Sequence, residues 1–147
     1  MKVKAILFLF GAFLTYYIDF GASAQTCRVT SGVGADGKMT YKEVFEFDFV
    51  EEKPDFPGGR ASMVAYINEH RRYPAEAYAR GVEGRVTCSF VINTDGSVSN
   101  ISVIRGVEPS LNREAVRLLS KMPAWKPGKI SGQPVPVRVI CYVPFRK

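Results

Sequence analysis

The chain's chemistry-bearing side chains are few and far apart. There are three cysteines, Cys27, Cys88 and Cys141, and one histidine, His70. A nucleophilic site needs a base within reach of the nucleophile and a third group to orient it. His70 lies 18 residues from the nearest cysteine in sequence and sits beside Arg71 and Arg72 at the end of a helical pattern, which suits a surface or capping residue. No CxxC or Cys/His spacing of a metal site occurs, and no paired-carboxylate pattern appears. We therefore assign no catalytic residue, no metal ligand and no cofactor, and expect a protein that binds rather than one that catalyses.

The residues that could do something are backbone groups. Over 135–145, Val135, Val137, Val139, Cys141, Val143 and Phe145 alternate with Pro136, Arg138, Ile140, Tyr142 and Pro144. That alternation is a strand. Both prolines lack an N–H and both fall on even positions, so their missing donors point to the same side of a regular strand. The even side is thus expected to be a free edge, with Arg138, Ile140 and Tyr142 offering unpaired backbone groups between two prolines. Such an edge has two uses. Proline and charge can protect it from aggregation, or it can recruit an extended peptide as an added strand.

The elements that must position this strand can be read in order. Residues 25–37 carry Gly32, Gly34 and Gly37 and read as flexible, whereas 39–50 alternates acids with aromatics as a strand or extended arm. Residues 51–59 hold two prolines and two glycines and read as a linker. Met63, Tyr66 and Ile67 give 60–72 a helical stripe, ended by Pro74, which can itself open a short helix over 75–80 capped by Gly81. Residues 85–93 alternate with Val86, Cys88, Phe90 and Ile92 on one face. Asn93-Thr94-Asp95-Gly96 supplies a hairpin turn, and 97–105 forms the next strand with a bulge between Val98 and Ile101. A helix follows, with Ser110 as candidate N-cap and Leu111, Ala115, Leu118, Leu119 and Met122 as its buried stripe. Trp125 is expected to plug the end of the core.

A strand–strand–helix–strand order with a right-handed crossover places the last strand on the far side of the first. The expected fold is α+β: a three-stranded antiparallel sheet in order 2-1-3 with helices on one face. Cys88 and Cys141 then face inward on adjacent strands. If they oppose directly a disulfide is available; otherwise they pack as small hydrophobes.

The N-terminus bears on location. Lys2 and Lys4, an uncharged apolar run over 5–18 and Ala22-Ser23-Ala24 before Gln25 have the layout of a cleavable signal peptide. The run is shorter than the roughly 20 residues of a comfortable membrane span. Three segments are expected: a signal peptide at 1–24, an acidic arm at 25–57 and a folded domain at 58–147. The arm carries four Lys/Arg against seven Asp/Glu, the domain fourteen against six. Export argues against nucleic acid as a partner of the basic domain and leaves an oxidising compartment as the setting of the cysteines.

The spaced motifs Pro54-Asp55-Phe56-Pro57-Gly58-Gly59, Tyr73-Pro74-Ala75-Glu76-Ala77, Gly81-Val82-Glu83-Gly84-Arg85-Val86, Phe90-Val91-Ile92-Asn93-Thr94-Asp95-Gly96 and Met122-Pro123-Ala124-Trp125-Lys126-Pro127-Gly128-Lys129 resemble the C-terminal domain of TonB energy transducers, above all the Bacteroidetes versions, across roughly 70% of the chain. The resemblance implies a periplasmic domain that grips the TonB box, a short peptide of outer-membrane transporters, on its last strand. It makes 135–145 the recruiting strand, with Tyr73 and Pro74 near the bound peptide, and it raises the recruiting use of the edge above the protective one. It also implies ExbB and ExbD as inner-membrane partners, provided the N-terminal segment stays as an anchor. Transducers usually carry a long, often proline-rich spacer, whereas here only about 30 residues, about 100 Å when extended, separate the apolar run from Phe56. The expected function is accordingly a periplasmic TonB-like peptide-binding module. A complete anchored transducer and a structural envelope protein that dimerises through its edge strands are the alternatives.

Overall fold

The computed structural model describes residues 26–147. The expected signal peptide, and with it the apolar run at 5–18, lies outside the described residues. Seven strands and three helices run in the order β1 (Thr26–Val33), β2 (Met39–Glu46), α1 (Gly59–His70), α2 (Ala75–Ala79), β3 (Gly84–Ile92), β4 (Val98–Arg105), α3 (Pro109–Ser120), β5 (Gly128–Ile130), β6 (Gln133–Val135) and β7 (Val137–Phe145). A single 3-10 turn, Phe47–Phe49, follows β2.

The main sheet has five strands in the order β1-β2-β7-β3-β4, so the expected three-stranded sheet is corrected. Its β4-β3-β7 part has the expected 2-1-3 order, and β7 pairs antiparallel with β3 along its whole length, from Gly84↔Phe145 to Ile92↔Val137. The addition is the β1–β2 hairpin, which includes the segment expected to be flexible. It joins β7 in parallel through only two register pairs, Phe45↔Val137 and Glu46↔Arg138.

Alternation fixes which face is buried. Val86, Cys88, Phe90 and Ile92 of β3 lie in register with Val143, Cys141, Val139 and Val137 of β7. All but Val137 pack in one core with Ile67 of α1, Ala77 of α2 and Leu111, Ala115, Leu118 and Leu119 of α3. The three helices therefore share one face. The hairpin curls toward the other. Lys42 Nζ on β2 donates to Asn93 Oδ1 at 2.7 Å, and Val91, on that face of β3, is buried.

Local irregularities follow local chemistry. β4 carries one extra residue against β3 between Ser99 and Ser102, where Asn100 sits at φ 51°, a left-handed conformation that asparagine tolerates. The N-cap of α3 is Glu108, two residues before the expected Ser110, because Pro109 occupies the first helical turn, where a missing N–H costs nothing. Ser110 instead donates its hydroxyl to Glu108. The last strand begins at Val137, since β5 and β6 form a separate two-stranded hairpin ahead of Pro136. The linker is also tied down: Glu52 and Lys129 exchange backbone hydrogen bonds at 3.0 and 2.9 Å, and Asp55 and Lys126 do so at 3.0 and 2.8 Å.

Candidate peptide-binding groove

The side of β7 turned away from β3 is defined by two carbonyls. Pro136 O accepts from Phe45 N–H of β2 at 2.9 Å, and Pro144 O accepts from the Arg71 guanidinium at the end of α1. Even-numbered backbone groups of β7 thus face outward. This is the side on which the prolines lack donors. The edge is shorter than expected, however. Arg138 is not unpaired: it stands in register with Glu46, and its Nε donates to Glu46 Oε2 at 3.1 Å, with an ion pair at 3.0 Å. Beyond it, no strand among the described residues pairs with the outer side of Ile140 and Tyr142. Their side chains are about half exposed.

This open edge borders a groove of about 660 Å³. One wall is α1, with Arg60, Met63, Val64, Ile67 and Asn68. The facing side is Val139, Ile140, Cys141, Tyr142 and Pro144 of β7. Phe56 and Trp125 line its interior, and Glu46, Phe47, Asp48 and Asp55 line one end. Trp125 is buried, as expected of a core plug. Its ring meets Phe56 edge-on at 5.6 Å and Phe90 at 5.6 Å, so the same indole closes the core and lines the groove. Three of the five wall residues of α1, Met63, Val64 and Ile67, are apolar, and Val64 stays 47% exposed. Lys53 Nζ donates to the carbonyls of Phe47, Asp48 and Val50 at 2.8, 2.9 and 2.9 Å, which holds the 3-10 turn at the groove's end.

The position of α1 is set by a carboxylate on the core side of α3. Glu114 Oε1 accepts from Arg72 N–H and from Arg117, Oε2 accepts from Arg117 Nε, each at 2.7 Å, and Arg117 also donates to His70 O at 2.9 Å. Burial would raise the Glu114 pKa; the Arg117 hydrogen bonds, the Arg72 N–H and the two cations outweigh it and hold the carboxyl below its ordinary value. His70 ends α1 with its ring stacked on Tyr66 at 4.4 Å and its Nδ1 3.0 Å from Tyr66 O.

Tyr73 and Pro74 do not line this groove. Tyr73 packs edge-on against Phe145 at 5.5 Å and Tyr78 at 5.3 Å, and its hydroxyl donates to Val82 O. Pro74 O accepts from Tyr78 N–H at 2.9 Å to start α2. Both hold the far end of the sheet together. What the sequence reading lacked was the groove's other residues, α1 and 46–55. The exposed Val64 beside the stripe and Phe47 and Asp48 in the acid–aromatic arm were the signals available.

The model of the Gram-negative bacterial TonB protein C-terminal matches residues 69–146, just over half of the chain. The chain belongs to this family. It is a non-enzymatic, transport-associated domain family of the cell envelope. Over 39 residues the chain is 51% identical to Protein TonB of Helicobacter pylori, in strains J99 and 26695 alike, a stretch that spans 26% of this chain but only 14% of either relative. The solution structure of the Helicobacter pylori TonB C-terminal domain (residues 179-285) is similar at 29% identity and a TM-score of 0.46, covering 62% of this chain and 86% of that one. That of the Pseudomonas aeruginosa TonB C-terminal domain has 29% identity and a TM-score of 0.37, covering 52% and 80%. Among the described residues no helix is long and apolar enough to cross a membrane, and no cluster of potential metal ligands occurs.

Proposed function

We propose that this TonB-family domain binds an extended peptide of an outer-membrane transporter, a TonB-box-like segment, as a strand added to the outer edge of β7. The observation that carries the reading is the coincidence of unpaired backbone with an apolar trench. Ile140 and Tyr142 each turn an N–H and a C=O outward, and Val64, Ile67 and Phe56 lie across the groove from them. Backbone hydrogen bonds give such a complex its affinity, and alternate side chains entering the groove give it selectivity. Arg60 supplies positive charge in the groove lining, and Arg85 of β3 stands 5.1 Å from the ring of Tyr142.

The domain works in the periplasm on this reading, delivered by the N-terminal segment. If that segment is cleaved near Gln25, the protein is a module that grips without an anchor; if it is retained, ExbB and ExbD become partners and the chain is a short transducer. The intact mass of the protein recovered from the periplasm separates the two.

The binding test is a titration of isotope-labelled domain with synthetic peptides from transporter N-termini, followed by NMR. The expected result is large shifts at Ile140, Tyr142, Val64 and Ile67, with slowed exchange of the Ile140 and Tyr142 amides. Shifts confined to β4, or self-association through β4 that peptide does not displace, would point to the structural envelope role instead.

A further inference from the structure

The strand that carries the open edge also carries a thiol that faces another thiol. Cys141 of β7 and Cys88 of β3 are direct register partners, both buried in the main core and both free. Because even positions of β7 point outward, Cys141 belongs to the odd set whose backbone bonds go to β3. Cys88 and Cys141 are thus a hydrogen-bonded antiparallel pair, in which Cα atoms stand about 5.5 Å apart. That separation lies inside the 4.4–6.8 Å span of disulfides, and because the side chains of a hydrogen-bonded pair stand about 5.5 Å apart at Cβ, closing the bond draws the two strands together locally by about 1 Å. The third cysteine is placed elsewhere. Cys27 is paired with Val44 in β1, with β2 and β7 between it and Cys88.

We propose that Cys88 and Cys141 are a disulfide site, oxidised by a disulfide-bearing reagent or oxidase as β7 docks onto β3, and that the bond fastens the open-edged strand to the middle of the sheet. One cysteine thiolate attacks a sulfur of the oxidant, forming a mixed disulfide and releasing one oxidant thiol. The other cysteine thiolate then attacks the first cysteine's sulfur, which closes the protein disulfide and releases the second oxidant thiol. Two protein thiols are oxidised, one oxidant disulfide is reduced, and the two protons end on the released thiols.

Timing follows from burial. Desolvation raises both thiols, Cys141 to about 12 with Cys88 adding to the rise, so the folded dithiol holds little of the attacking thiolate. Oxidation therefore belongs to folding or to an opened state, and the burial that slows it afterwards shields the finished bond from reductants. The effect on peptide capture rests on the function proposed above: Cys141 sits between Ile140 and Tyr142, so the bond would fix the register of the two residues that offer free backbone. The existence of the bond is independent of any ligand.

The test uses the full chain refolded in a glutathione/glutathione disulfide buffer, blocked with iodoacetamide in denaturant and digested with trypsin without reduction. The expected product is residues 86–105 joined to residues 139–146, lighter by two hydrogens than the two peptides together, with Cys27 carrying the alkyl group. The oxidised protein should melt about 10 °C above its dithiothreitol-reduced form, and a Cys88→Ala/Cys141→Ala variant should show no such dependence on reductant. Alkylation of both Cys88 and Cys141, a stable glutathione adduct on either, or a link from Cys27 to either would overturn the proposal. A mapped disulfide with no peptide binding in either redox state would leave it standing and count against the groove.

Discussion

Replacing Ile140 with proline isolates the outer edge of β7. Ile140 stands opposite Ser89, but its N–H points away from β3, so proline there deletes no bond of the β3–β7 ladder. Its side chain is 54% exposed, so little core packing is lost. The expected cost to the fold is about 1–2 kcal/mol, from holding proline's φ in a strand. Binding should suffer more. The edge offers four backbone groups, the N–H and C=O of Ile140 and of Tyr142. The variant loses one donor, leaves the peptide's facing carbonyl buried without a partner, and puts a ring where the peptide backbone must lie. A lost hydrogen bond with an orphaned buried acceptor amounts to about 2–3 kcal/mol, a rise in Kd of about 30- to 150-fold. Calorimetric titration of wild type, Ile140→Pro and Ile140→Ala with the same transporter peptide gives the comparison, with circular dichroism as the folding control. The alanine variant should lose less than about fivefold, since backbone groups carry most of the pairing. A folded proline variant that binds like the wild type would refute both the edge and the parity argument behind it.

Other perturbations test the frame around the groove. Glu114→Gln should lower Tm by about 5–10 °C, because Arg117 and the Arg72 N–H lose a charged acceptor in a buried site. Glu114 is held below its ordinary pKa in the fold, so its contribution is present above the unfolded value near 4.5 and is lost as pH falls through the folded value; acid melts of wild type should steepen there and those of the variant should not. Gly96→Ala should cost about 3 kcal/mol in denaturant unfolding, because φ is 85° and an added Cβ would stand 2.0 Å from Trp125 O. Lys53→Met releases three carbonyls at the groove's end; hydrogen exchange over 47–50 should speed up while the β3–β7 amides stay protected.

The parts of the fold legible in the sequence are those written in a period. Val137 to Phe145 alternates in burial as its sequence does, and Val86, Cys88, Phe90 and Ile92 face the core as expected, whereas Ser89 and Val91 on the other face of β3 are buried as well. Leu111, Ala115, Leu118 and Leu119 mark the buried side of α3. The β1–β2 hairpin was illegible as part of the sheet because its contact with β7 is two residues long and joins segments some 90 positions apart. Proline parity explains the remaining misjudgement. A proline lacks a donor but keeps its carbonyl, and Pro136 O accepts from Phe45. Missing donors therefore identified the outward side of β7 and concealed the neighbour already bonded to one end. The groove could not be read because its walls come from 46–56, 60–68 and 125. Glu114 did leave a trace: a carboxylate three residues after Leu111 and four before Leu118, on the apolar stripe, must have buried partners.

The open edge of β7 is bounded at one end by Glu46 against Arg138 and at the other by Arg71 on Pro144 O. Its shortness limits how long any guest can stay. Four backbone groups and a modest trench cannot build a long-lived complex against the 4–15 kcal/mol that association costs. A guest binding at about 10 µM and arriving at about 10⁶ M⁻¹s⁻¹ would leave about ten times each second. If the edge captures peptides as proposed, its occupancy would follow their local concentration from moment to moment.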